Sequence, residues 1–167
     1  FDTVFDVKKT RVKVGFQLFP YDVLHCFVER VDHIPSVNIS DGAAEPYVEV
    51  RVTHDDPLNE QTWQDAYNMP NSQIIVTAST GVVSGSLDPE YNSNLELETY
   101  SSDHFFVHII LWSSRGFKYL DQPIGHLSFP LKDCRDDVFE NGIVAYNFRP
   151  VPGYLYEGIE NTRIFLE

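Results

Sequence analysis

Val12, Val14, Phe16 and Leu18 alternate with Arg11, Lys13, Gly15 and Gln17, the two-residue period of a half-buried β-strand. Phe19-Pro20-Tyr21-Asp22 then reads as a turn. Leu24, Cys26 and Val28 resume the alternation, which slips by one residue at Val31 and so predicts a bulge. Val48, Val50 and Val52 alternate with Glu49, Arg51 and Thr53. The β-branched run over residues 73–79 and the segment 94–100 read as strands, and the apolar run 105–112 reads as a central one. Leu127, Phe129 and Leu131 alternate again, and residues 163–166 suit a closing strand. Residues 55–72 hold two prolines among many polar residues and predict a long loop with one helical turn near 62–67. Residues 132–140 suit a short helix or turn. Eight strands and no long amphipathic helix predict an all-β, eight-stranded antiparallel sandwich with an insertion loop around 55–72.

The chain of 167 residues is long enough for one domain with its own core, and 43% apolar content argues against disorder. No apolar run is long enough to span a bilayer, so no transmembrane segment is expected. There is no signal-peptide pattern, and the chain opens on Phe, as a module cut from a larger protein would. Cys26 and Cys134 stand far apart in no metal-ligand spacing, and Cys26, alternating with Leu24 and Val28, suits a small buried hydrophobe. A reducing cytoplasmic location is the expectation.

A formal net charge of −13 argues against nucleic acid as a partner. Between His54 and Asp103 there is no Lys or Arg but many carboxylates, which predicts one acidic surface and a basic protein as a candidate partner. No enzyme signature is present. The six histidines lack the spacing of a zinc pair, and Ser84 in GVVSGS lacks the flanking glycines of a nucleophile elbow. No catalytic residue and no cofactor are expected.

Five short segments, in order, share a resemblance. They are Leu24, Cys26, Val28, Val31 and Ile34; residues 42–50, GAAEPYVEV; residues 87–97, LDPEYNSNLEL; Val107, Ile109, Leu111, Trp112 and Ser113; and Ile124, Gly125, Phe129, Pro130 and Leu131. Together they resemble the C2 domain, a β-sandwich that docks on membranes or on other proteins. The extra leading strand over residues 11–18 resembles the synaptotagmin-like arrangement of strands.

The resemblance implies a calcium site built from carboxylates of two loops at one end of the sandwich, and here that site is degenerate. Asp41, Glu45 and Asp121 are the remnants. The other family positions hold Ile39 and Ser113, and Arg115 adds a positive charge nearby. Calcium takes about six to eight oxygen ligands, several of them anionic, so three carboxylates leave most of the shell to water. The lysine-rich strand through which many C2 domains hold phosphoinositide corresponds here to residues 73–79, which carry no base, while Arg51 stands alone on the preceding strand. The remaining lipid-directed feature is the loop 113–120. There Arg115, Phe117, Lys118 and Tyr119 interleave bases with aromatics, a pattern suited to the headgroup region of an anionic phospholipid surface. The resemblance thus implies a non-catalytic, calcium-independent module for membrane association or, alternatively, a protein-interaction scaffold. A calcium-dependent lipid sensor is the third reading.

Overall fold

The sixteen-residue strand β2 (Gln17–Asp32) organises one sheet. In the computed structural model, residues 10–13, 17–36, 45–54, 74–100, 105–116, 121–134, 142–151, 153–154 and 156–167 are described. β1 (Thr10–Lys13) folds back as a short arm on the first residues of β2. β5 (Glu90–Tyr100) lies antiparallel along β2, from Tyr21↔Tyr100 to Arg30↔Glu90. β9 (Arg163–Leu166) pairs with the end of β2, and β8 (Val144–Asn147) pairs with β9. The second sheet runs in the order β4 (Ile74–Ser79), β3 (Pro46–Thr53), β6 (Phe106–Ser113), β7 (Gln122–Pro130).

These strands form an antiparallel sandwich of eight, to which the β1 arm adds a ninth among the described residues. The slip in hydrophobic alternation at Val31 has its cause here. A register shift between Val28 and Arg30 inserts the odd residue, so Val28 and Val31 both turn inward and both are fully buried.

Two sequence expectations change. Residues 19–22 are strand, not a turn. Pro20 lies where β1 pairing ends at Thr10↔Pro20 and β5 pairing begins at Tyr21↔Tyr100, a place where a missing N–H costs the ladder little. The leading strand expected over 11–18 is represented by β1 and the start of β2, and the last strand, β9, pairs with the end of β2. The insertion loop 55–72 falls outside the described residues. Of the helix expected over 132–140, a 3-10 turn at Leu131–Cys134 is described.

The core lies between the sheets. Val28, Val31, Leu95 and Leu97 of one sheet meet Val48, Val50, Val52, Ile109 and Leu111 of the other. β6 is buried on both faces, as its unbroken apolar run requires. Its outer face belongs to a second cluster of Tyr47, Ile110, Trp112 and Val151, against which Tyr154 packs. The segment carrying Val151 is tied down by reciprocal backbone bonds between Arg149 and His126 and by Val151 pairing with Tyr154. Gly125 of β7 admits this chain closely, since a Cβ there would stand 2.9 Å from Ile159 Cδ1 and 3.0 Å from Phe148 Cβ.

Candidate functional site at the loop end of the sandwich

The described residues at the ends of the β2–β3, β4–β5 and β6–β7 connections meet at one end, and backbone bonds join them. Ser114 N–H donates to the Glu45 carbonyl at 2.8 Å, Val83 N–H to the Pro46 carbonyl at 3.1 Å, and Thr80 N–H to the Val48 carbonyl at 2.9 Å. The Thr80 hydroxyl in turn accepts the Val48 N–H at 3.0 Å. The loop end is therefore a braced platform.

Asp121 is the best-held residue on it. Its side chain is buried, with Oδ2 accepting the Tyr47 hydroxyl at 2.7 Å and Oδ1 accepting the Arg115 N–H at 2.8 Å. Hydrogen bonds to a charged group contribute about 1.5–3 kcal/mol each, so this carboxylate is strongly committed to its own loop. Burial, followed by the Asp121 bond and charge, pushes the Tyr47 hydroxyl well above its ordinary range, so it stays a donor. The Glu45 side chain accepts from the Ser84 hydroxyl at 3.4 Å. Asp41 lies outside the described residues.

Among the described residues, no three His, Cys, Asp or Glu side chains gather as a cation cage. Each Asp121 oxygen already accepts one hydrogen bond, and calcium takes about six to eight oxygen ligands, several of them anionic. The described donor set does not fit the ion.

Arg115 stands at the mouth of the β6–β7 loop, its guanidinium donating to Gln122 Oε1 at 3.0 Å. Tyr156 reaches the same oxygen at 3.4 Å. Phe117, Lys118 and Tyr119 lie outside the described residues.

On the outer face of β3, Arg51, the one base of that strand, pairs its guanidinium with Glu49, two residues earlier on the same face, and both side chains are buried. Trp112 Nε1 donates to the same Glu49 oxygen at 3.3 Å, Arg51 lies 5.7 Å from the Trp112 ring centroid, and Tyr47 stacks on Trp112. Further along the sheet, the rings of His108 and His126 approach to 5.7 Å, both buried. Burial first, then the neighbouring His126 and Arg51, pushes His108 far below the ordinary histidine range. His126 is pushed down to about 4, chiefly by burial and also by Arg149, against a hydrogen bond to the Pro150 carbonyl.

Sequence reasoning missed this polar face because VEVRVT alternates as a solvated strand would. The available signal was β6, whose apolar residues on both parities require a cover over the same face. Cys26 is buried as expected, and burial pushes its thiol up to about 12, with Cys134 adding to the shift.

Comparison with known proteins bears on this arrangement directly. The C2 domain profile matches residues 22–145, about three-quarters of the chain. The chain belongs to the C2 domain family. No curated protein matches by sequence. A C2 domain of plant extended synaptotagmin 1 superposes with a TM-score of 0.55 at 14% identity, over 86% of this chain and 89% of that one. PLC21 of S. officinalis gives 0.56 at 18% identity over 99% of this chain. Human GIVD cytosolic phospholipase A2, in complex with methyl gamma-linolenyl fluorophosphonate, gives 0.55 at 10% identity over 87% of it. The chain covers 17% and 16% of those two longer proteins, and at such identities the likeness is one of fold. C2 domains are binding modules for membranes or proteins, not catalysts in themselves. No helix among the described residues is long and apolar enough to cross a membrane.

Proposed function

We propose that this C2 domain is a calcium-independent, non-catalytic module that brings a larger protein to an anionic phospholipid surface, peripherally and from the cytoplasmic side. The observation that carries this reading is the commitment of Asp121, whose two oxygens hold Tyr47 and the Arg115 amide. The residue best placed to anchor a cation instead braces the loop that bears the lipid-directed residues. Arg115 leads that loop, and Phe117, Lys118 and Tyr119 follow it in sequence. Aromatic rings entering the headgroup region beside bases give a contact that needs no metal. Each base near an anionic surface contributes about 1 kcal/mol. Among the described residues, the covered outer face of β3 and β6 offers no second basic patch, since Arg51 is paired with Glu49.

Vesicles of mixed phosphatidylserine and phosphatidylcholine, sedimented with the protein in chelator at physiological salt, test the reading. Wild type is expected to pellet with them, and the Phe117→Ala/Lys118→Glu variant is expected to lose at least tenfold in binding while unfolding at the same temperature. Undiminished binding by that variant would remove the loop as the site.

A further inference from the structure

The long edge of β5 has a feature that the lipid reading does not use. β5 pairs with β2 on one side, and no described strand pairs with its other side; β4, on the same flank of the sandwich, pairs with β3. The direction of its free backbone groups follows from the register. Phe27 exchanges both of its backbone bonds with Glu167, at 2.7 and 3.0 Å, so its N–H and C=O point toward β9. Asn94, opposite Phe27, must then turn its own N–H and C=O away from β2. Pairing is regular from Val28↔Ser93 to Tyr21↔Tyr100, so Glu96 and Glu98, opposite His25 and Val23, do the same. Three residues in alternation thus present backbone donors and acceptors along an edge that no described strand pairs, with β4 close by on the same flank.

Natural sheets blunt such edges with lysines, prolines or bulges. Residues 90–100 contain no Lys and no Pro, and the pairing over 93–100 carries no bulge. The side chains on these positions are instead acidic or amide, and exposed. Glu96 is 68% exposed, with the His25 imidazole at 3.5 Å, while Glu98 and Asn94 are exposed beside it. Leu95, Leu97 and Thr99, between them, are buried. Arg30, opposite Glu90, is engaged by its neighbour Glu29 at 2.7 Å. Neither β4 nor β5 carries a base.

We propose that the free edge of β5 binds a basic, extended segment of a partner protein as an added strand, with backbone bonds at Asn94, Glu96 and Glu98 and alternate Lys or Arg side chains opposite the carboxylates. Charge chooses the occupant. A second copy of this chain brings another net charge of −13 and another row of glutamates to the edge. Like charges directly opposite each other are destabilising, whereas opposite charges on cross-strand pairs are favourable. The site is on the flank of the sandwich and stands independently of the loop proposed for lipid.

The test uses a fluorescent peptide of alternating Lys and Val, and the same peptide N-methylated on every second residue so that charge is kept but one hydrogen-bonding edge is lost. Fluorescence anisotropy is expected to show the unmethylated peptide binding at least tenfold more tightly, with affinity falling as salt rises. The amides of Asn94, Glu96 and Glu98 are expected to gain hydrogen-exchange protection. The Glu96→Lys/Glu98→Lys variant, folded by circular dichroism, is expected to lose binding. Equal affinity for the two peptides would reduce the interaction to bulk charge and overturn strand addition. So would unchanged exchange at the three amides, or full binding by the variant. Dimerisation of the free protein through these amides would overturn the choice of partner.

Discussion

The two outer faces of this sandwich read alike in sequence and behave in opposite ways. On β5, Asn94, Glu96 and Glu98 alternate with core residues and lie in solvent. On β3, Glu49 and Arg51 alternate with core valines in the same pattern, yet both are buried. The difference comes from the neighbours. Across β3 stand Ile110, Trp112 and His108 of β6, and Val151 packs over that face. Across β5 stand Val23 and His25 of β2, both exposed. A charge on a covered face must find a partner within the protein, whereas a charge on an open face can await one from outside.

The largest test of this contrast is to break the covered ion pair. Arg51→Ala is expected to cost about 3–5 kcal/mol, because it removes the guanidinium that pairs with the buried Glu49 carboxylate. Replacing both by a hydrophobic pair such as Met and Leu is expected to recover much of that loss, and urea unfolding of the single and double variants measures it.

Acid should attack the same face next. His108 and His126 are held neutral, with folded-state values below the ordinary 6.5, so the unfolded chain takes up protons first. Their contribution is whole above about pH 6.5 and shrinks as pH falls. For His126, with its value near 4, the loss reaches about 3 kcal/mol by pH 4. A His126→Gln variant is expected to flatten the fall in urea midpoint between pH 6.5 and 4 relative to wild type. An unchanged slope would show that the acid response comes from carboxylates.

Gly125→Ala forces a Cβ against Ile159 and Phe148 and is expected to cost about 1–3 kcal/mol by overpacking. Tyr47→Phe removes the phenol from Asp121 at a cost of about 1–3 kcal/mol, and a thermal melt follows both. The smallest effect belongs to the open face. Glu98→Gln is expected to change stability by less than about 0.5 kcal/mol, since Glu98 is exposed and no partner among the described residues is lost. A large loss there would show that the β5 face is as covered as the β3 face.

The sandwich was legible because its signals are local. Period-two alternation marked most strands, and the slip at Val31 marked the bulge that keeps two valines inward. Pro20 misled, since a prolyl residue can read as a turn or sit in a strand where two partner strands change over. The loop-end carboxylates were visible as residue types, but their use was not. Asp121 reads as a depleted calcium ligand, and its role depends on Tyr47, seventy-four residues away in sequence. The Glu49–Arg51–Trp112 cluster was hidden for the same reason, because nothing within β3 shows that another segment lies over it.

Calcium titration by calorimetry, with the wild-type domain at physiological salt, tests the central claim most directly. If Asp121 is a brace, no saturable heat is expected up to millimolar calcium, and the urea midpoint should be the same in calcium and in chelator. A saturable isotherm that disappears in Asp121→Asn, with a calcium-dependent gain in stability, would make Asp121 a ligand and contradict the calcium-independent reading.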